Sequence, residues 1–513
     1  PAGGSATIVR ALLARDEAGN LVWSQDSAPA LGTEAQDSDS QSMKTVMGLV
    51  SDEIVTKNVS MGAGAYNAKH GRYTFGESIE TAVGETDDDS FVYPAPSVAR
   101  DTLSGGGAMN GVIDGHTKHN GTDYVIAGAM VYYYDDAANQ WVKTAADPGI
   151  GTLTDIISFK ANLIVTMPTA ANYKYSTNNG TTWSNPTAGG QDVGKFFTVK
   201  EDQGIRPILI MAQDDNTVYE TEDPTNTNLW TTGSVVGGVI NTDTFTSLVT
   251  APIGGEVLYG KERGWRTMDG AGNVSTVYGP INESAASAIK NFRRPVQALE
   301  RLYAPVQAYD IVEYDRGVLT SGFGPYRFGP LVSEMNRQIA ALASDGKEWL
   351  FCALSGSEGY VMKGRRQDNV PWAWHGAYIK LGEAISYMWV SINNEPTIGN
   401  YLILHICPTA TTFIPYRVVL PNVNPDIESG MTFVTAANIR FGWEDAGRAR
   451  ESKHMGQSIQ YARNLAAGDT VQLQYRKDQE TSYTNLGTSS SNPEPSDLTT
   501  TYYAANTTAK RYE

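Results

Sequence analysis

The chain has 513 residues, is 41% hydrophobic, and carries 39 basic against 56 acidic side chains, a formal charge of −17. That apolar content excludes intrinsic disorder, the length allows two or three domains, and the acidic excess makes nucleic acid and anionic membranes unfavourable partners. The 51 glycines and 27 tyrosines, with abundant Thr, Asn and Ser, supply strand formers and turn residues together and predict many short strands.

Residues 1–105 read as an N-terminal arm or small, loosely structured β subdomain. Polar stretches at 1–5 and 36–42, an Asp triplet at 87–89 and glycines at 105–107 are interrupted by short strand-like pieces at 21–23 and 72–75. The triplet lacks the spaced oxygens, Gly and terminal Glu of a calcium loop and reads as a solvated acidic loop. Gly62 and Gly64 lack the third glycine and following helix that would cradle a phosphate. No charged-then-apolar signal pattern opens the chain.

From about 106 to 428 a unit recurs: an apolar strand, a tight turn, an aromatic strand and a polar loop leading to a tryptophan. The first copy has strands at 124–127 and 130–134, a turn at 135–139, and Trp141; the second has 156–159, 163–167 and 173–176, closing on Trp183; the third has 207–211 and 217–220, closing on Trp230. These tryptophans stand 42 and 47 residues apart, the length of one four-stranded propeller blade. Less regular copies follow at 256–259 and 309–326. Clearer ones come at 348–363 with Trp372 and Trp374, and at 384–420. The count predicts an all-β fold, a β-propeller of roughly 6–8 blades. Two segments, 283–292 and 333–343, read as helices between blades, the first ended by Pro295. The longest apolar stretch, 124–134, has roughly half the length a membrane span needs. Cys352 and Cys407 each sit in an apolar run and read as buried free thiols.

After about 429 the repeat stops, and strand-like segments at 433–441, 457–461 and 471–475 predict a C-terminal β-sandwich. Val471, Leu473 and Tyr475 alternate with Gln472 and Gln474, the pattern of a half-buried strand. The Ser-, Thr- and Pro-rich stretch 487–501 is a loop or the start of a tail.

Chemistry-bearing motifs are sparse, and the sequence predicts no catalytic residues, no metal and no cofactor. Asp114, His116 and His119 form the one dense group of metal-ligand types, but without a fourth ligand or zinc signature they read as a solvated loop. Arg365 with Arg366, and Arg448 with Arg450, read as pairs balancing nearby acids. There is no Gly-x-Ser-x-Gly elbow or Walker loop.

Residues 176–183, Ser-Thr-Asn-Asn-Gly-Thr-Thr-Trp, resemble the Asp-box of sialidase-like propellers, with Asn178 in place of the Asp. The resemblance implies a folding device. Ser176 and Asn178 cap a turn, Gly180 takes a backbone conformation others avoid, and Trp183 packs between blades. It does not imply sialidase activity, because the Arg-Ile-Pro triplet expected upstream is absent; the nearest string is Ile205, Arg206 and Pro207, downstream and in another order.

A second resemblance covers about 300–490. The run through Gly329, Leu331, Asn336, Ile339 and Leu342, then 349–354, then Trp372, Trp374 and His375, looks like the blade pattern of propeller-bearing bacteriophage tail proteins. A following segment with Phe441, Gly442, Trp443, Glu444 and Asp445, and another from Val471 to Asp478 ending in Leu486, Gly487 and Thr488, is similar in order to theirs. The resemblance implies a non-enzymatic structural component of a virion tail: a nozzle, hub or distal receptor-binding protein. Its partners would be copies of itself, other tail proteins, and a host glycan or protein receptor. Two other classes stay open: a glycan-degrading tail enzyme, which needs two carboxylates at a suitable separation, and a cellular protein-binding propeller.

Overall fold

In the computed structural model the described residues are most of 92–421, the stretches 5–11, 53–55, 75–81 and 430–440, and parts of 453–509. They divide into two compact units, Ser97–Phe328 with Val332–Leu420, and Pro1–Pro96 with Gly329–Leu331 and Pro421–Glu513.

The first unit is a seven-bladed β-propeller. Blade 1 is the antiparallel meander Ile113–His119, Thr122–Ala127, Met130–Asp135 and Gln140–Lys143. Blade 2 has three strands, Asp155–Phe159, Asn162–Thr166 and Lys174–Ser176, and a bridge from Tyr175 to Ser184 at the fourth position. Blades 3 to 6 are four-stranded and span 196–235, 245–278, 296–321 and 338–381. Blade 7 has Ile385–Glu395, Gly399–Pro408 and Tyr416–Val419, and takes its fourth strand, Val98–Arg100, from the other end of the unit, with Arg417 opposite Ala99. The ring is thereby closed by chain that precedes blade 1.

Local chemistry accounts for the meanders. Between the first two strands of blade 1, Asn120 and Gly121 have φ of +49° and +84°, the left-handed pair of a type I′ turn, whose twist matches the strands it joins. Side chains then alternate across each blade, and the apolar sets of neighbouring blades close on one another. Tyr124, Ile126 and Val131 of blade 1 meet Ile156, Leu163 and Val165 of blade 2, and Leu258 and Trp265 of blade 4 meet Leu302 and Val312 of blade 5. Trp141, Trp230 and Trp265 of the propeller lie in such seams, and Trp141, Trp265, Trp372 and Trp374 are fully buried. Cys352 and Cys407 are free and buried, and burial pushes both thiols up in pKa.

Several expectations change. The propeller begins at Ser97 rather than 106, because a three-residue strand is too short to show a period of its own and acquires its role only by pairing. Gln338–Ser344, expected to be helical, is the innermost strand of blade 6; Ala341, Leu342 and Ala343 are good helix formers whose burial among neighbouring strands overrides propensity. Of the other expected helix, 283–290 lie outside the described residues, and Asn291 and Phe292 form a turn.

In the second unit, the strands after 429 do not form a sandwich of their own among the described residues. Gln457–Leu465 pairs with Ser496–Tyr503 on one side and with Ser5–Ala11 on the other, Ser5 opposite Arg463 and Ala11 opposite Gln457. With Glu53–Val55, Ile79–Thr81 and Val92–Pro94 these make a six-stranded sheet. The N-terminal segment is therefore sheet partner to the C-terminal one, a pairing across 450 positions of sequence that no local pattern encodes. Leu473 and Leu486 are buried, with Leu486 N donating to Leu473 O at 2.9 Å.

Candidate functional site

The seven innermost strands converge on a central cavity of about 360 Å³. Ile157, Phe196, Val249, Val296 and Val390 contribute apolar wall and Ser344 a hydroxyl. At this wall the residues that alternate away from the seams are half-buried, so the cavity is amphipathic with a mainly aliphatic lining.

Arg294 gives the cavity its polar feature. It lies in the linker just before the first strand of blade 5, and its side chain reaches across the ring to blades 1 and 2. Its Nη1 donates to Asp155 Oδ1 at 2.9 Å, and its Nη2 donates to Thr154 O at 2.6 Å and to Asp114 O. The linker achieves this with left-handed backbone at both Phe292 (φ +56°) and Arg294 (φ +50°), conformations that cost free energy for non-glycine residues and persist where the surroundings impose them. Asp155 also accepts from the amides of Ile156 and Phe197, both at 3.0 Å. Burial raises the Asp155 carboxyl above the ordinary range against the pull of Arg294 and those amides. Burial likewise works against the Arg294 cation, but Asp155 and Asp114 outweigh it and hold its pKa up. The Tyr387 ring lies 5.7 Å from the guanidinium carbon, and burial pushes its hydroxyl up to about 12.

Asp155 is the one carboxylate among the described lining residues, and Asp114, paired with Arg293, stands close to Arg294 as well. Acid–base cleavage of a glycosidic bond needs two carboxylates about 5–9.5 Å apart. The described lining thus combines an aliphatic wall with hydroxyls, one carboxylate and the Arg294 cation that it compensates.

A second polar cluster ties blade 7 to blade 1. His116 Nε2 and Asp123 Oδ1 are 2.7 Å apart, and Asp123 Oδ2 accepts from Asn393 Nδ2 at 2.7 Å. Burial alone would raise the Asp123 carboxyl, but the His116 hydrogen bond and charge, Lys118 and Asn393 bring it down to about 2. Burial lowers His116 below its ordinary value despite Asp123. Asp101, immediately after the closing strand, accepts from Trp141 Nε1 at 2.9 Å and faces Arg417 Nε at 3.6 Å.

The residues singled out from sequence fall elsewhere or into structural contacts. Ser176 Oγ accepts from Gly180 N at 2.8 Å, and Asn178 Oδ1 accepts from Thr182 N at 2.9 Å. Gly180 has φ +80°, and a Cβ there would come within 2.7 Å of Thr144 Cγ2. Trp183 Nε1 donates to Ala146 O at 3.1 Å, with the ring against the blade 1–blade 2 seam. None of the four lines the cavity. Asp114, His116 and His119 lie on a strand, not a loop, and diverge: Asp114 pairs with Arg293, His116 with Asp123, and His119 Nδ1 with Ser158 Oγ at 2.8 Å. Arg366 pairs with Glu313 at 2.5 Å and Arg365 with Glu348 at 3.6 Å. The Asp87 triplet, Gly62, Gly64, Arg448 and Arg450 lie outside the described residues. Sequence reasoning did not find Arg294 or Asp155, nor Trp389 and His405 of blade 7, whose rings stack with centroids 4.6 Å apart; the Arg293-Arg294-Pro295 string was the one local signal.

No protein family matches the chain, and no curated protein does. Among solved structures it is similar to virginiamycin B lyase from Staphylococcus aureus, at 9% identity over 63% of this chain and 99% of that one, with a TM-score of 0.45. It is also similar to YCF48 from Cyanidioschyzon merolae, at 11% identity over 60% and 95% with a TM-score of 0.41. A third is the Cps50 (Swd1) β-propeller domain from Myceliophteria thermophila, at 12% identity over 61% and 98% with a TM-score of 0.41. At such values the likeness carries nothing about activity, and the seven blades stand on their strand pairing.

Proposed function

We propose that the chain is a non-enzymatic structural component of a bacteriophage tail, located in the virion and assembled with copies of itself and other tail proteins, in a nozzle, hub or distal position. The observation that carries the non-enzymatic part is the use made of the cavity's carboxylates: Asp155 is held by Arg294 and by the amides of Ile156 and Phe197, and the neighbouring Asp114 is paired with Arg293, so both acids are engaged in contacts that tie the blades to one another. The tail assignment is supported by the sequence resemblance over residues 300–490. A propeller suits a mechanical part because radial repetition leaves few long strand edges exposed. A host glycan or protein receptor would be met by surface loops.

Assembly state and glycan release test this together. Light scattering and electron microscopy of the purified chain should show a closed multi-copy ring, or antibody labelling should place it on a virion tail. Host envelope material incubated with it should release no reducing sugar. A monomer that liberates sugars would overturn both halves of the proposal, and a monomer without activity would overturn the tail assignment.

A further inference from the structure

All seven blades contribute side chains to the central cavity, and the contributions are unequal. Blades 2, 3, 4, 5 and 7 present Ile157, Phe196, Val249, Val296 and Val390, all half-buried. Ile157, Phe196 and Val249 edge the seam clusters with part of their surface, and the rest faces the cavity. Apolar surface held against water in this way is surface that an apolar ligand would cover with a gain in free energy.

Blades 1 and 6 present hydroxyls instead, Thr117 and Ser344. Thr117 Oγ1 accepts from Ser158 N at 3.2 Å, and Ser344 Oγ accepts from Gly346 N at 2.9 Å. A hydroxyl that accepts one bond keeps its own proton to donate, and among the described residues neither finds an acceptor for it. Blades 6 and 1 are the two neighbours of blade 7, so in a ring of seven their hydroxyls stand across from Phe196 and Val249 of blades 3 and 4. Gln297 of blade 5 adds an exposed amide.

Charge at the cavity is already matched. Arg294 is held by Asp155 and by the carbonyls of Thr154 and Asp114, the Asp114 carboxylate by Arg293, and His116 by Asp123 and the face of Trp389. An ionic ligand would give up hydration without gaining a free counter-charge from the described lining.

We propose that the central cavity is a binding site for a small uncharged aliphatic molecule with an oxygen acceptor at one end, of the alcohol or ketone class. Its hydrocarbon part lies on Ile157, Val249 and Val296, and its oxygen accepts from Thr117 or Ser344. The volume of about 360 Å³ falls at the small end of ligand sites, which run from about 300 to 1,000 Å³ and combine apolar walls with a few placed polar groups. The inference rests on the cavity and is independent of the tail assignment.

Methyl NMR of the full chain tests it with three probes of one chain length: 1-hexanol, hexanoate and hexylammonium. 1-Hexanol should shift the methyl signals of Ile157, Val249, Val296 and Val390 saturably, and the two ions should bind at least about tenfold more weakly. Shifts that never saturate, or that miss these methyls, would overturn the proposal, and so would an ion that binds as tightly as the alcohol. Ser344→Ala combined with Thr117→Val should weaken 1-hexanol by about fivefold or more, and unchanged affinity would remove the hydroxyls from the site. Val249→Trp fills the cavity and should abolish binding. Its Tm reports whether it folds, and a folded Val249→Trp that binds 1-hexanol like the wild type would place the alcohol elsewhere and sink the proposal.

Discussion

Between blades 2 and 3, Phe159, Ile164, Tyr173, Phe197 and Trp230 make an apolar cluster in which Trp230 Nε1 donates to Tyr173 Oη at 3.1 Å, and the polar contacts around it run mostly through backbone, as from Tyr173 Oη to Pro224 O and from Phe197 N to Asp155 Oδ2. Between blades 7 and 1, Trp141 and Trp389 pack edge to face at 5.9 Å within a similar apolar cluster, but around them run Asp101, His405, Asn393, Asp123 and His116 in polar contact. The two seams differ in what the chain provides. Blades 2 and 3 are consecutive in the chain, so their register is constrained locally and apolar burial with a few bonds through backbone completes the contact. Blades 7 and 1 meet through residues almost 300 positions apart, and directional hydrogen bonds in a low-dielectric seam select one register where apolar contact alone would tolerate several. Arg100 of the closing strand adds to this by donating to Glu383 and Tyr416 and lying over the Tyr416 ring.

That contrast can be broken in three places. The largest effect is expected from Trp141→Ala, which empties a fully buried site and leaves Asp101 without its indole donor. A loss of about 3–5 kcal/mol by urea unfolding is expected, and a loss below about 1 kcal/mol would mean that the closing seam contributes little. Next is acid. Asp123 is depressed from 3.8 to about 2, so its pairing stabilises the fold above about pH 4 and is lost as pH falls towards 2. The wild type should lose about 2 kcal/mol more than Asp123→Asn across that window, and parallel pH profiles would remove Asp123 from the account of closure. The smallest effect belongs to the apolar seam: Trp230→Phe keeps most of the burial and removes one hydrogen bond, for a cost of about 1 kcal/mol. A cost as large as that of Trp141→Ala would erase the distinction between the two seams.

Much of the propeller was legible because its units are local. Trp141, Trp183 and Trp230 mark blade ends at blade-length intervals, and alternation in stretches such as 130–134 gives strands directly. Ala341, Leu342 and Ala343 misled because small and unbranched residues carry helix propensity that only their seat in blade 6 overrules. Beyond the Arg293-Arg294-Pro295 string nothing local marked Arg294, whose importance comes from a linker that points it at blades on the far side of the ring. The Asp114, His116 and His119 group drew notice through spacing, yet strand geometry and different partners send the three side chains apart.

What the sequence determined by itself, then, is an all-β chain of tryptophan-marked meanders, since strand, turn and burial period are properties of a few consecutive residues. The tertiary structure alone decided that there are seven blades, that Val98–Arg100 closes them, that Ser5–Ala11 pairs with Gln457–Leu465, and that Arg294, Asp155, Trp389 and His405 hold the centre and the seam. Those are contacts between residues tens to hundreds of positions apart, and their free energy depends on burial and on partners that exist only once the ring has formed.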